Sequence, residues 1–457
     1  MTFTLEDYIR SLKEKRVAVI GVGVSNAPLI RLLLMAGISV TACDKKEDLG
    51  VIGEQLKQLG VQFCLGEHYL DQLNHDVIFR SPGIRPDIPA FLKAKENGSI
   101  ITSEMEVFFD VCPCKMIAVT GSDGKTTTTT LISEMLKNAG YTVHVGGNIG
   151  KPLLSEVWEM AAEDIVVLEL SSFQLMTLRK SPNIAIVTNL SPNHLDIHTS
   201  MAEYCDAKEN IFSHQTKDDI CIFNHDNEWT RNAVSRAKGK RISFSRQEPL
   251  QQGVFVENAV IYVADENGRR RLFPTSAILI PGEHNVENYL AAIAAVNGLV
   301  PDAVIKTTAE TFAGVEHRIE LVRTLDGVRY YNDSIASSPT RTIAGLRSFA
   351  EKVILIAGGY DKKIPFDGLG PEIVAHVKTL ILTGHTAEKI KTSVLSAPGG
   401  ETVTIHMAQD MAEAVSMAHK SANQGDIVIL SPACASFDAF PNFAVRGTTF
   451  KKLVSEL

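Results

Sequence analysis

Short β-branched runs alternate with helix-length amphipathic segments along almost the whole chain, and this alternation restricts the fold more than any other feature. It is the pattern of parallel sheets with crossover helices. The first series passes from RVAVIGVG (16–23) through SVTACD, QFCL and DVIFRSPG (76–83) to SIITSE, with APLIRLLLMAG and IPAFLKAKENG as helices between. A second series begins with KMIAVTGSDGKTTTTT and continues through DIVVLELSSF, NIAIVTNLS and DICIFNHD. RISFSR, GVFVENAVIYV and RRRLFP then read as a small antiparallel addition, followed by a helix over VENYLAAIAAVNGL. After HRIE a third series runs through GVRYYND, KVILIAGG, TLILTG, TVTIHM and DIVILSPA to a last helix in VRGTTFKKLVSEL. The expected boundaries are 1–111, 112–315 and 316–457.

The length of 457 residues agrees with three domains at about 150 residues each. A net charge of −8 argues against a general nucleic-acid or membrane binder, both of which need a basic surface. The seven cysteines are odd in number and scattered, and the C-x-C of Cys112 and Cys114 lacks a second pair at zinc spacing. Free thiols suit a reducing compartment. The polar start MTFTLEDYIRSLKEKR lacks the apolar stretch of a signal peptide, and no apolar run approaches the roughly 20 residues that span a bilayer. A soluble, cytoplasmic protein is expected.

The strongest local signal is TGSDGKTTTTT, Thr120 to Thr130, set between a strand and a helix. Gly121 and Gly124 let the backbone curl so that successive N–H groups face a phosphate, with the positive end of the helix behind them. Lys125 can reach the β- and γ-phosphates and Thr126 can ligate Mg²⁺. Val119 departs from the usual spacing, which places Gly or Ala there. The expected fold class is therefore α/β in three domains: Rossmann-like, then P-loop-type and ATP-binding with the antiparallel addition, then Rossmann-like again.

Other residues are weaker signals. Glu169 ends an apolar strand, where open parallel sheets bind ligands, and could hold a divalent ion or merely face water. NLSPNHLDIH puts His194 and Asp196 after the next strand, and a single loop histidine is more often structural than a ligand. Lys208 in AEYCDAKENIF is by itself an ordinary helix lysine. In the first series GVGVSN opens a helix and Asp44 ends the next strand, as in a dinucleotide site, yet Asn26 and Ala27 fill the region of the third glycine. An NAD-dependent oxidoreductase and a non-catalytic nucleotide-binding regulator remain open on these residues alone.

Taken together, these motifs resemble the Mur ligase family over nearly the whole chain. That family carries TGTNGKTT at its phosphate loop, where Ser122 and Asp123 stand here for the Thr-Asn pair. The resemblance implies that Gly121, Ser122, Asp123, Gly124, Lys125, Thr126 and Thr127 bind ATP. It implies a metal at Thr126, Glu169, His194 and a CO₂-carbamylated Lys208, with Lys125, His194 and Lys208 catalytic and two Mg²⁺ ions. GGNIG places Asn148 near substrate and phosphate, and PGEHNVENYLAA supplies Asn285 and Asn288 on the adenine and ribose side. In the third series, Arg318 of HRIE is expected near the nucleotide and Asp333 of NDS at the ribose; Ile335 stands where a phosphate-directed lysine is common in the D-glutamate-adding branch. Lys362 of GGYDKK, with Ser436 and Phe443 of SPACASFDAFPNF, resembles the positions that grip D-glutamate. In the first domain, Ser25, Lys46, Ser81, Pro82 and Gly83 would lie along a UDP group. The resemblance thus implies a monomeric, cytoplasmic ligase of peptidoglycan synthesis. It would take ATP, Mg²⁺, UDP-N-acetylmuramoyl-L-alanine and D-glutamate, bind neither nucleic acid nor membrane, and proceed through an acyl phosphate. The DNPR motif of the diaminopimelate-adding branch is absent from the sequence.

Overall fold

The computed structural model describes residues 3–23, 25–191, 197–266 and 268–457. Three sheets are present among them. The first contains β1 (Val17–Ile20), β2 (Val40–Asp44), β3 (Gln62–Leu65), β4 (Val77–Arg80) and β5 (Ile100–Thr102), in the order β3-β2-β1-β4-β5, all parallel. The second contains β6 (Lys115–Thr120), β7 (Val143–Gly147), β8 (Ile165–Glu169), β9 (Ile184–Val187), β10 (Ile220–Asn224), β11 (Lys240–Ser245), β12 (Gly253–Glu257), β13 (Val260–Asp265) and β14 (Gly268–Pro274). Their order is β14-β13-β12-β11-β10-β9-β6-β8-β7. The third contains β15 (Glu320–Leu325), β16 (Val328–Asn332), β17 (Val353–Ala357), β18 (Val377–Leu382), β19 (Thr404–Met407) and β20 (Ile427–Leu430), in the order β15-β16-β20-β17-β18-β19.

The central strands are apolar runs because both of their faces are covered. Every residue of β1, β4, β8, β9, β17 and β20 is buried, the last residue of β8 being a carboxylate and that of β4 an arginine. The antiparallel addition is narrower than the sequence suggests. β11, from RISFSR, pairs parallel to β10, and β12 pairs parallel to β11, so only β12, β13 and β14 form the meander. GVFVENAVIYV is two strands, turned at Asn258 and Ala259, both with positive φ.

The chain divides into two compact units. One comprises Met1–Thr275 with Glu287–Thr308 and holds the first two sheets; a continuous apolar core joins them, with Val19, Phe79 and Phe108 in the same cluster as Leu154, Val166 and Val187. The other comprises Ser276–Val286 with Ala309–Leu457, where apolar clusters cover both faces of the third sheet.

Candidate active site

Ligands of open parallel sheets bind beyond the carboxyl ends of the strands, and the second sheet gathers its polar residues there. Val119 is the reason the glycine spacing differs: it is an interior residue of β6, fully buried and paired with Glu169 of β8. The chain then enters the loop at Gly121, whose φ is +145°, and leaves it at Gly124, whose φ is +78°, to begin the helix Lys125–Asn138. A Cβ at Gly124 would lie 2.2 Å from Oδ1 of Asn288, so the glycine is required by both conformation and space.

The end of β9 braces this loop. The Ser122 amide donates to the Asn189 carbonyl (2.9 Å) and the Asp123 amide to Asn189 Oδ1 (3.0 Å), while Thr188 Oγ1 donates to the Asp123 carbonyl (2.6 Å). Ser122 Oγ hydrogen-bonds Tyr204 OH at 2.9 Å. Lys125 Nζ donates to the Ser122 carbonyl (2.8 Å), across the mouth of the loop.

Beside the loop lies a compact polar group. Thr126 Oγ1 donates to Glu169 Oε2 and Asn148 Nδ2 to Glu169 Oε1, both at 2.7 Å. Asn148 is held by its own amide, which donates to the Glu169 carbonyl at 2.7 Å. On the other side, Lys208 Nζ donates to the Gly121 carbonyl (2.8 Å) and Thr120 Oγ1 (3.2 Å) and sits 4.9 Å from the centre of the Tyr204 ring. Burial, and then the nearby Lys125 charge, hold the Lys208 amine well below the usual lysine range. Asn288 Oδ1 accepts from Thr128 Oγ1 at 3.3 Å. His194 and Asp196 lie outside the described residues.

The first sheet presents a second group. Asp44, the acid of the dinucleotide-like pattern, accepts the Val22 amide (2.7 Å) on one oxygen and the Lys46 amide (2.9 Å) on the other. Asn26 is buried and donates to the Ile20 and Gly21 carbonyls (3.2 and 2.9 Å), tying the strand to the helix from within. Ser25 and Pro82 share a small cavity with Glu104, Gly147 and Gln174, next to the Asn148 segment; Lys46 and Gly83 are exposed.

In the other unit, the motifs NDS, GGYDKK and SPACAS follow β16, β17 and β20, which are neighbours in the sheet. Asp333 is buried and accepts from Ser431 Oγ at 2.7 Å; burial pushes its carboxyl up to about 7. Ser436 is buried, whereas Lys362 and Phe443 are exposed. Arg318 faces Asp333 electrostatically, and Asn285 Nδ2 donates to the Pro281 carbonyl at 2.5 Å. Sequence reasoning missed the residue that joins two of these motifs. Arg446, buried, donates to the carbonyls of Ser334 (2.9 Å), Cys434 (3.0 Å) and Ala435 (3.1 Å) and to Ser334 Oγ (3.0 Å). It missed Tyr204 as well, although a tyrosine four residues before Lys208 occupies the same helix face.

Family models match three stretches that span most of the chain: "Mur ligase MurD-like, N-terminal domain" at residues 15–103, "Mur ligase middle domain" at 119–296, and "Mur ligase, glutamate ligase domain" at 317–434. The chain belongs to the Mur ligase family. This Mur ligase is 52% identical to the UDP-N-acetylmuramoylalanine–D-glutamate ligase of Acetivibrio thermocellus, with 100% of each chain covered. It is 50% identical to the enzyme of the same name from Clostridium novyi, again over 100% of both. Among solved structures it resembles the UDP-N-acetylmuramate–alanine ligase of Thermotoga maritima, with a TM-score of 0.58, 19% identity and coverage of 97% of this chain and 99% of that one, a likeness of fold.

Proposed function

We propose that this Mur ligase uses ATP to join D-glutamate to the terminal carboxylate of UDP-N-acetylmuramoyl-L-alanine. The observation that carries the reading is the Thr126–Glu169–Asn148 group lying directly beside a phosphate loop that Lys125 spans. The whole-length similarity to D-glutamate ligases supports the choice of substrates. Three functional stretches follow in this reading: 1–111 for the UDP substrate, 112–315 for ATP and 316–457 for the amino acid. The enzyme would act as a cytoplasmic monomer; among the described residues no helix is long and apolar enough to cross a membrane.

In the reaction, an oxygen of the L-alanyl carboxylate attacks the γ-phosphorus and ADP leaves, giving an acyl phosphate. The neutral amine of D-glutamate then attacks the acyl carbon; the tetrahedral intermediate expels phosphate, and the amine proton passes to solvent or a bound base. The side chains form no covalent bond to substrate, so alignment and charge stabilisation supply the acceleration. The amides at the N-terminus of the helix Lys125–Asn138, together with the Lys125 side chain, offset charge on the transferring group, and Asn148 orients the Glu169 carboxylate. Ser25, Lys46, Ser81, Pro82 and Gly83 hold the UDP part. Asn285, Asn288, Arg318 and Asp333 serve the adenosine, and Lys362, Ser436 and Phe443 hold D-glutamate.

A buried carboxylate meeting a hydroxyl at 2.7 Å, with the N-terminus of the helix Lys125–Asn138 alongside, is a donor set that suits Mg²⁺. Thr126 and Glu169 would hold it, with His194 and a carbamylated Lys208 completing the sites, and the ions would neutralise charge on the phosphates. The lowered proton affinity of Lys208 favours its modification, because only the neutral amine can form the N–C bond to CO₂, releasing a proton.

The test is phosphate release by the purified protein with ATP, Mg²⁺ and UDP-N-acetylmuramoyl-L-alanine, supplying amino acids one at a time. Release that depends on D-glutamate, with a product heavier by one glutamyl residue, is expected. Absence of release with every amino acid would refute the reading.

A further inference from the structure

A set of side chains outside the nucleotide and metal groups runs from the turn after β4 to the phosphate loop. Arg85 is its outer end. Its Nη2 donates to Glu203 Oε1 (2.7 Å) and Asp87 Oδ2 (2.8 Å), its Nε to Asp87 Oδ1 (2.9 Å), and its Nη1 to the Ile197 carbonyl (2.6 Å). Glu203 Oε2 also accepts the Thr199 amide at 2.6 Å, and hydrogen bonds from Arg85 and then Thr199 hold its carboxyl down to about 2. The group is thus ionised throughout the working range, and charge-assisted, forked contacts of this kind fix orientation as well as distance.

From Glu203 the contacts pass inward. His198 Nδ1 lies 3.7 Å from Glu203 Oε2, and its side chain is wholly buried. Its ring stacks on Phe173, with centroids 5.5 Å apart and planes at 10°, and meets Tyr204 edge-on at 5.3 Å. Nε2 hydrogen-bonds Ser172 Oγ at 2.9 Å, three residues beyond Glu169. Tyr204 closes the path on Ser122 of the phosphate loop. A second tie runs in parallel: Arg80, buried at the end of β4, donates to the Ile84 carbonyl (2.7 Å) and to Thr177 Oγ1 (3.1 Å).

We propose that Arg85, Glu203 and His198 are positioning residues of the ligation, fixing the turn at 81–84 against the phosphate loop and the Glu169 strand end. The proposal rests on the reading in which that turn holds the UDP substrate and that loop holds ATP. None of the three touches a reacting atom. They set the line between the acyl carboxylate and the γ-phosphate, and a displacement of about 1 Å along such a line costs on the order of a hundredfold in rate. The arrangement differs from a general interface brace in where it ends: one end is the segment after Ser81-Pro82-Gly83, and the other ends are Ser122 and the residues following Glu169.

The test uses the full chain with ATP, Mg²⁺, UDP-N-acetylmuramoyl-L-alanine and D-glutamate. Arg85→Glu and Glu203→Arg should each lower kcat by about a hundredfold, with the KM for ATP within about twofold of the parent. The double variant Arg85→Gln with Glu203→Gln should lose about as much kcat as either Gln variant alone, and not the product of the two losses, because their effects are coupled. His198→Phe keeps the ring stack, loses the Ser172 contact, and should reduce kcat by about tenfold while Tm stays close to that of the parent. If Arg85→Glu does not fold, Arg85→Gln at this partly exposed position carries the same expectation. Variants with a lowered Tm but parental kcat would show a purely structural brace and overturn the proposal, as would Gln losses that multiply in the double variant. An inactive parent with these substrates would instead refute the functional reading on which the proposal rests.

Discussion

Lys125 and Glu104 show what single buried or enclosed ionisable groups do in this fold. Lys125 Nζ lies 2.8 Å from the Ser122 carbonyl, so its charge already stands over the loop that would cradle the phosphates. Lys125→Ala should lower kcat by about 100- to 1000-fold, the usual cost of deleting one preorganised donor at a site of developing charge; thermal melting should show an intact fold. Turnover near the parental level at saturating ATP would place the catalytic nucleotide site elsewhere. Glu104 has a different task. Its Oε1 accepts the Leu154 amide at 2.9 Å inside the core that joins the first two sheets, and burial pushes the carboxyl up from 4.5 to about 7. The folded chain therefore keeps a proton there that the unfolded chain releases. The resulting stability is full below about pH 4.5 and is lost as the pH rises through 7. Glu104→Gln retains the acceptor and cannot ionise, so its stability relative to the parent should rise between pH 5 and pH 8, by about 3 kcal/mol at most. Paired melting curves at those two pH values would check this; an unchanged difference would mean that Glu104 titrates normally.

Elements carry the phosphate site through backbone shape, and Gly124 is one of its exacting positions. Gly124→Ala places a side chain at φ +78° and 2.2 Å from Asn288 Oδ1. It should cost about 1–2 kcal/mol of stability and weaken ATP binding by at least about tenfold, measured by titration with a non-hydrolysable analogue. Retained affinity would mean that the loop adapts without its glycine. This loop was legible in the sequence because strand, glycine, lysine and helix follow one another locally. The interior strands were legible for a related reason: burial on both faces writes them as unbroken apolar runs, as in VAVI, IAIV and VILIA. The alternation reading passes over β7 and β15, and both are edge strands whose residues are mostly half-exposed, so no apolar run marks them. It takes β12 and β13 as one because Asn258 and Ala259 make a tight turn without the glycine that would announce it. Arg85 meeting Glu203, 118 residues away, and Arg446 gathering carbonyls from two motifs depend on the finished topology, and neither leaves a local pattern.

At the scale of the whole molecule, the question is which amino acid the ligase accepts. Whole-length similarity to D-glutamate ligases points to one amino acid, and the residues following β17 and β20 are those proposed to hold it. A dicarboxylate needs two donor groups at a fixed separation. Lys362, exposed after β17, can supply a cation for one carboxylate. Ser436, buried after β20, can serve the other, within a loop that Arg446 holds through the Cys434 and Ala435 carbonyls. With both carboxylates anchored, inverting the α-carbon swings the amine away from the acyl carbon, and about 1 Å of misplacement costs on the order of a hundredfold. D-glutamate should therefore be ligated and L-glutamate ignored at the same concentration. Lys362→Ala and Ser436→Ala should raise the KM for D-glutamate at least about tenfold while the KM for ATP changes by less than about twofold. Single-amino-acid ligation followed by mass spectrometry of the UDP product decides the matter. Efficient addition of L-glutamate, L-lysine or diaminopimelate would reject the specificity while leaving a ligase of this family, and equal rises in both Michaelis constants would move the glutamate site away from Lys362 and Ser436.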